Sequence, residues 1–172
     1  PASLYAQNVH GETPAYIASS QGNNACLVAL RDYAAARGAC CRSCASCSLS
    51  QPNMDGATLV FVACAKGQAE TVKLLLQQPP PAFGEDDERG CTALDDPSNN
   101  DNGFGMDPSR PDNDGTTPAW IAAATGSLEC LKLIYGAGGD ISFPDAMACQ
   151  TPLEAALSSG HSSCAEFIQQ CQ

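Results

Sequence analysis

The sequence predicts an all-α fold made of short helical hairpins stacked one on the next. Three observations lead to it: one phrase recurs along the chain, its copies are regularly spaced, and each is followed by an apolar stripe of helical period. The phrase is a Gly or Cys, any residue, Thr, and a run of small and apolar residues, and it begins at Gly11, Gly56, Gly115 and Cys149. A unit this short cannot bury its own apolar face, so its recurrence indicates units that share one core.

The threonines of the phrase give the period. Thr58 and Thr92 are 34 residues apart, and so are Thr117 and Thr151. The interval from Thr13 to Thr58 is 45 residues because a cysteine-rich stretch is inserted, and the interval from Thr92 to Thr117 is only 25. The unit at Thr92 therefore begins but is not completed.

Each unit has the signals of a first helix that ends in a tight turn. Thr is a good N-cap, and Pro at the first helical position gives up an amide that has no helical partner there. The longest apolar run, Leu59 to Ala65, is predicted to be such a helix. Glycine adopts the left-handed conformation that stops a helix and reverses the chain. The first helices are predicted to end near Gly22, Gly67, Gly126 and Gly160.

A second helix is predicted after each of these glycines. Positions four, five, seven and eight after the glycine are mostly apolar, which is typical of a helix buried along one side. These positions are Cys26, Leu27, Ala29 and Leu30, then Thr71, Val72, Leu74 and Leu75, then Cys130, Leu131, Leu133 and Ile134, and finally Cys164, Ala165, Phe167 and Ile168.

At these residues the chain resembles the ankyrin repeat family. The shared pattern is Gly-x-Thr-Pro, an aromatic residue or His, a hydrophobe, two small residues, and then Gly and a Leu-rich helix, with a period close to that family's roughly 33 residues. The resemblance implies a single domain, residues 1–172, folded as an ankyrin-repeat solenoid of helix-turn-helix units with short hairpin loops. Repeats are expected at about 8–38, 53–78, 112–141 and 146–172, with an aborted repeat at 88–95, a cysteine-rich insertion at 39–52 and an acidic linker at 79–111.

The chain departs from the family pattern at the His position of each repeat and, in two repeats, at the Leu position before it. The residues that stand where the family has His are Tyr16, Phe61, Trp120 and Glu154. The hydrogen-bond bridge that this His makes between repeats is therefore expected to be missing. The preceding Leu of the family is reduced to Ala15 and Ala119, so we interpret the aromatic rings as filling the space that these small residues leave. An aromatic stripe that binds a ligand is the alternative.

The net charge of -11 is concentrated in the middle of the chain. Ten of the nineteen acidic residues lie between Glu85 and Asp114, where only Arg89 and Arg110 oppose them. This sign argues against nucleic-acid binding. We interpret the block as a solvated loop, with docking of a basic partner as the alternative. Calcium binding is not expected, because neither Asx-rich stretch ends in the bidentate Glu of a calcium loop.

Eleven cysteines are unusual for a chain of this length. Cys26, Cys130 and Cys164 occupy the same expected buried position of the second helix, and Cys64 stands where the resembled family has a small residue. We expect these four to be reduced core thiols that behave as small hydrophobes.

Four further cysteines, Cys40, Cys41, Cys44 and Cys47, lie close together in the insertion. Their Cys-x-x-Cys-x-x-Cys spacing brings three thiolates within reach of one tetrahedral metal ion, and Cys40 supplies a fourth candidate ligand. The spacing is incomplete as a zinc or an iron–sulfur motif. A metal site, a disulfide, and a flexible loop with free thiols all stay open.

No motif in the sequence predicts catalysis. A phosphate-binding Gly-Lys-Ser/Thr loop, a Gly-x-Ser-x-Gly elbow and a His-Glu-x-x-His motif are all missing. We expect a non-enzymatic protein–protein interaction scaffold with no cofactor and no small-molecule substrate. The resemblance implies that a partner protein contacts the hairpin tips and the first-helix surface of consecutive repeats. On this chain those positions are Val9, His10, Glu12, Ser20, Gln21, Met54, Asp55, Ala57, Lys66, Asn113, Asp114, Thr116, Thr125, Met147, Gln150 and Ser159.

Two other classes of function stay open: a structural or linker subunit of a large assembly, organellar or photosynthetic in kind, and a metal- or redox-responsive module built on Cys40 to Cys47. The odd number of cysteines and the lack of an Asn-x-Ser/Thr site favour an intracellular, reducing compartment. No apolar run reaches the roughly 18 residues of a membrane span. We expect a soluble or peripheral protein of the cytoplasm, or of an organelle such as the plastid if a transit peptide before Pro1 was removed.

Overall fold

The computed structural model describes residues 4–36, 49–77, 106–146 and 149–171. Within these ranges the chain forms eight α-helices and no β-strand, which confirms the all-helical prediction. The helices are α1 (Pro14–Gln21), α2 (Asn24–Ala36), α3 (Leu59–Ala65), α4 (Ala69–Leu76), α5 (Pro118–Ala124), α6 (Leu128–Gly136), α7 (Pro152–Ser158) and α8 (Ser162–Cys171). The insertion cysteines Cys40, Cys41, Cys44 and Cys47, the aborted repeat at 88–95, most of the acidic linker and Met147 lie outside the described residues.

Threonine begins the first helix of each pair, as predicted. Thr13, Thr58, Thr117 and Thr151 have extended backbone, and each hydroxyl accepts a hydrogen bond from the backbone N–H three residues later, at 3.1 to 3.3 Å. At the last of these caps the Glu154 carboxylate also accepts from the backbone N–H of Thr151 at 2.8 Å, which completes a capping box.

The two helices of each pair are joined by the predicted glycine turn. The four turn glycines have φ between 67° and 80°, a left-handed conformation that glycine adopts without steric cost. The chain then bonds back to the first helix: in the third pair the backbone N–H of Ser127, after Gly126, donates to the carbonyl of Ala122 at 2.8 Å. Each turn therefore satisfies a helix-end carbonyl while it reverses the chain.

The helices form two rows. We call α1, α3, α5 and α7 the inner row and α2, α4, α6 and α8 the outer row; the helices of each row pack against their neighbours in chain order, and each inner helix packs on the outer helix of its own pair. One apolar core runs between the rows. Its largest fully buried apolar side chains include Leu27, Leu59, Leu75, Leu131, Ile134 and Ile168.

The predicted buried stripe is confirmed on three of the four outer helices. All of its positions on α4, α6 and α8 are buried or partly buried. On α2, Leu27 is fully buried, but Cys26 and Ala29 are exposed. The prediction that Cys26 is a core thiol is therefore wrong. On α6 and α8 the equivalent cysteines, Cys130 and Cys164, are buried against the preceding helix pair. The described residues contain no helix pair before α1, so Cys26 is left exposed.

Met106 contacts the outer row at α4. The backbone N–H of Met106 donates to the carbonyl of Leu75 at 3.2 Å, and the Met106 side chain packs partly buried against the core. The Ser109 hydroxyl accepts from the backbone N–H of Asp140 at 3.0 Å. The Asp140 carboxylate in turn accepts from the Ser142 hydroxyl at 2.7 Å and from its backbone N–H at 2.8 Å, and these bonds lower the Asp140 pKa. The last residues of the expected acidic linker are thus part of the folded body.

Candidate partner-binding surface

A tight turn precedes each of the first three Thr caps, at residues 8–12, 53–57 and 112–116. We call these three turns heads, and we call residues 145–146 and 149–150, before the last Thr cap, the fourth head. In the second head the Asn53 side-chain oxygen accepts from the backbone N–H of Asp55 at 3.0 Å and of Ala57 at 2.9 Å. Asn8 and Asp112 make the equivalent two bonds at 2.8 to 3.1 Å. One Asx side chain thus holds each of these three heads in a single conformation.

Hydrogen bonds join the first three heads to one another. The backbone N–H of Met54 donates to the carbonyl of His10 at 3.1 Å, and the backbone N–H of Asn113 donates to the carbonyl of Asp55 at 2.9 Å. The Asn113 side-chain amide also donates to the carbonyl of Met54 at 2.9 Å. The heads approach so closely that a Cβ on Gly56, whose φ is 78°, would lie 2.7 Å from the backbone nitrogen of Asn113. The three heads therefore form one continuous row of fixed backbone.

Polar side chains join the third head to the fourth. The Thr116 hydroxyl donates to the Asp145 carboxylate at 2.9 Å, although Asp145 is only 5% exposed. The backbone N–H of Asp145 donates to the carbonyl of Gln150 at 2.9 Å, which closes the fourth head. Burial of this carboxylate is tolerated because the hydroxyl donates to it.

At Trp120, which stands where the resembled family has His, another side chain bridges to the next head. Its indole N–H donates to the carbonyl of Gln150, in the next head, at 3.1 Å. Tyr16 also reaches the next head, where its hydroxyl accepts from the Asn53 side-chain amide at 3.4 Å. The polar tips of Trp and Tyr thus supply bridges that the replacement of His was expected to remove.

The structure leaves most of the predicted contact residues on the surface. The exposed ones are Val9, His10, Gln21, Met54, Asp55, Lys66, Asn113, Asp114, Thr125, Gln150 and Ser159, and the partly buried ones are Glu12, Ser20 and Thr116. Ala57 is 5% exposed and belongs to the core, so its side chain offers no surface to a partner. The predicted residues thus gather along the heads and the nearby inner helices, apart from Met147, which lies outside the described residues.

The tips of the first two heads are apolar and sit beside negative charge. Val9 is 82% exposed and Met54 is 69% exposed. Burial, followed by the charges of Glu12 and Asp55, raises the pKa of Tyr16. These carboxylates therefore lie close enough to the Tyr16 ring to disfavour its anion. The first two heads combine two uncovered hydrophobes with two acidic groups.

The structure identifies head residues that sequence reasoning missed. Asn8, Asn53 and Asp112 hold their heads in shape, and all three stand five residues before the Thr cap. An Asx residue at a constant distance before each cap is a signal that the sequence contains. Asp145 has the same place in the fourth head, but one extra residue separates it from its Thr cap, Thr151. A comparison of the repeats at fixed spacing therefore does not find it.

Metal ligation has no support among the described side chains. Within the four described ranges, no three His, Cys, Asp or Glu side chains come together as a metal ion would require. The cysteines for which a metal, a disulfide or free thiols stayed open, Cys40 to Cys47, lie outside those ranges.

No protein-family model matches this sequence, and no curated protein is significantly similar to it. None of the helices in the described ranges combines the length and the apolar character needed to cross a membrane.

Proposed function

We propose that this protein is a non-enzymatic protein–protein interaction scaffold, built as an ankyrin-type solenoid, that holds a partner protein on the row of heads and the adjoining inner-helix surface. The observation behind the proposal is the hydrogen-bonded row itself. The bonds from Met54 to His10 and from Asn113 to Asp55 fix the backbone of three successive heads, while the side chains at the tips stay exposed.

A row of this kind favours binding because its conformation is set before a partner arrives. Ordering loops during association costs free energy, and a surface that is already ordered avoids most of that cost. Val9 and Met54 contribute little to the core, being 82% and 69% exposed, so they are available as apolar contacts. The carboxylates of Glu12, Asp55 and Asp114 belong to the same three heads and favour a partner segment that carries both basic and apolar side chains.

The proposal also includes a reducing intracellular compartment. Among the described residues, Cys64, Cys130 and Cys164 are buried free thiols of the core. Buried thiols that are not paired as disulfides are typical of proteins from reducing compartments.

The first experiment identifies the partner. The tagged protein is used to capture binding proteins from its native source, and crosslinking with mass spectrometry locates the contact. Crosslinks on the heads would support the proposal, whereas crosslinks confined to the outer row would contradict it. Recovery of a multisubunit complex at fixed stoichiometry would identify a structural subunit instead of a dissociable scaffold.

The second experiment tests the surface with the captured partner. The double variant Met54→Asp and Asp114→Arg changes exposed side chains of two heads, and we expect it to weaken binding at least about tenfold, or roughly 1.4 kcal/mol. Glu166→Arg on α8 is the control, because it changes an exposed charge on the outer row. Equal affinity of the double variant and the control would overturn the assignment of the heads.

A further inference from the structure

The connection that leads from α4 to the third head ends in the same way as the connection that leads from α6 to the fourth head. Leu75 and Ile134 are equivalent residues of these helices, because each stands eight residues after its turn glycine. The backbone N–H of Gly139 donates to the carbonyl of Ile134 at 2.9 Å, and the backbone N–H of Met106 donates to the carbonyl of Leu75 at 3.2 Å. Met106 therefore has the place in the second pair that Gly139 has in the third.

The six residues that follow also match. Residues 107–112 read Asp-Pro-Ser-Arg-Pro-Asp and residues 140–145 read Asp-Ile-Ser-Phe-Pro-Asp. The Asp107 carboxylate accepts from the backbone N–H of Ser109 at 2.8 Å. The Asp140 carboxylate accepts from the backbone N–H of Ser142 at the same distance. Both stretches end at the Asx residue of a head, so the two connections share one path from Met106 and Gly139 onward.

The two connections differ only before this shared path. In the third pair, three residues, 136–138, separate Tyr135 from Gly139. In the second pair α4 ends at Leu76, and the backbone of Gln77 is extended, with a ψ of 123°. Residues 77–105 thus stand where the third pair has three residues.

The second and third helix pairs are direct neighbours despite this difference. Helix α3 packs on α5, and α4 packs on α6. The two connections also touch each other: the backbone N–H of Asp140 donates to the Ser109 hydroxyl at 3.0 Å, and a Cβ on Gly139 would lie 3.1 Å from Cβ of Pro108. This packing leaves no place for a further helix pair between them.

We propose that residues 77–105 are an insertion in one connection of a stack that is complete without them. The four helix pairs and the row of heads then form when the insertion is replaced by the three residues of the third connection. Loop-closure entropy rises slowly with loop length, so a stack tolerates an insertion between two ends that are already held together. The bond from Met106 to Leu75 holds these ends.

The insertion contains seven of the nineteen acidic residues and the expected aborted repeat at 88–95. Most of the acidic block is therefore attached to the stack without supporting it. Charge that does not support the fold is free to change without loss of the scaffold.

The first test uses the unchanged chain. Hydrogen exchange followed by NMR should find the Met106 and Gly139 amides both protected, because each donates to a carbonyl of an outer helix. Exchange of Met106 at the rate of an exposed amide, with Gly139 protected, would contradict the inference.

The second test replaces residues 77–105 by Gly-Ala-Gly, the sequence of residues 136–138. We expect a single urea transition with a midpoint no lower than that of the unchanged chain, since a shorter connection costs less entropy to close. The amides of Met54 and Asn113, which bond one head to the next, should exchange within about threefold of their rates in the unchanged chain. An unfolded variant, a lower midpoint, or faster exchange at Asn113 would overturn the inference. None of these measurements involves a partner, so their failure leaves the proposed function to its own tests.

A replacement that is two residues longer is the matched control. Gly-Ala-Gly in place of residues 77–107 also removes Met106, with its bond to Leu75, and Asp107, which accepts from Ser109. This variant should have a lower urea midpoint than the first replacement. Equal midpoints would show that Met106 does not have the place of Gly139, which would also contradict the inference.

Discussion

The indole of Trp120 connects two helix pairs through one hydrogen bond. Its N–H donates to the carbonyl of Gln150, at the position where the resembled family has His. Replacing Trp120 by benzothienylalanine keeps the bicyclic ring and removes the N–H. We expect this change to lower the free energy of unfolding by about 1 kcal/mol, the usual net value of such a bond. Urea denaturation measures the loss, and an unchanged midpoint would show that the ring contributes by packing alone.

The turn glycines Gly126 and Gly160 share a backbone conformation but differ in their neighbours. Their φ values are 75° and 80°, but a Cβ on Gly126 would lie 2.8 Å from Cγ of His161, while a Cβ on Gly160 meets no atom within 4 Å. Gly160→Ala should cost about 1 kcal/mol of stability, the strain of a left-handed alanine. Gly126→Ala should cost roughly 1 kcal/mol more, because His161 must leave its rotamer.

A double-mutant cycle separates these two costs. Adding His161→Ala to the Gly126→Ala variant removes the clash, so the additional cost of Gly126→Ala over Gly160→Ala should disappear. If the additional cost persists without the imidazole, strain in the backbone and not contact between the turns is its cause.

At the scale of the element, the capping box of α7 makes the stability of the last helix pair dependent on pH. The backbone N–H of Thr151 and then its hydroxyl donate to the Glu154 carboxylate, and these bonds lower the Glu154 pKa. A carboxylate whose pKa is lower in the folded state contributes stability above its unfolded pKa of about 4.3, and this contribution is lost as the pH falls through the folded value.

The pH dependence can be measured against a neutral side chain. The melting temperature of the unchanged protein should exceed that of Glu154→Gln near neutral pH, and the difference should shrink as the pH is lowered below about 4.3. Glu166→Gln on α8 is the control for removal of a carboxylate. A difference that stays constant down to pH 3 would show that the capping bonds do not depend on the charge.

The elements whose signals are local were the predictable ones. Thr58 followed by the apolar run Leu59 to Ala65 determines a helix start and its length, and the structure has α3 at those residues. The burial of Cys26 was predicted wrongly because it depends on whether another helix pair lies beside α2. The periodicity within α2 carries no information about such a neighbour. The bridge at Trp120 was missed for a similar reason, since its acceptor belongs to a different head.

The row of heads was only partly predictable. Asp114 and Gly115 form an Asp-Gly pair, which favours a tight turn, and Gly115 has the positive φ that such a turn requires, 81°. The bond from Asn113 to Asp55 joins heads that are far apart in sequence, and its register is set by how the inner helices stack. Local sequence thus predicts each head, and the packing of the whole stack aligns the heads into a surface.

At the scale of the whole molecule, the last helix pair presents a face that earlier pairs bury. Leu157 is 56% exposed, whereas Ala123 is fully buried, although each stands six residues after the Thr cap of its helix pair. Side chains at this register are small wherever a following pair covers them, and Leu157 has room for a larger one because no helix pair follows α8 in the described residues.

Substitutions at Leu157 and Ala123 test whether the inner helix is covered by another helix pair at this position. Leu157→Ala should change the free energy of unfolding by less than about 0.5 kcal/mol, as expected of an exposed side chain. Ala123→Leu should lower it by about 1–3 kcal/mol, because the α7 pair leaves no space for the added atoms. Urea denaturation measures both. A cost of roughly 2 kcal/mol or more for Leu157→Ala, the range of buried leucines, would mean that the α7 face is covered in solution, and concentration dependence of that cost would identify a second copy of the chain as the cover.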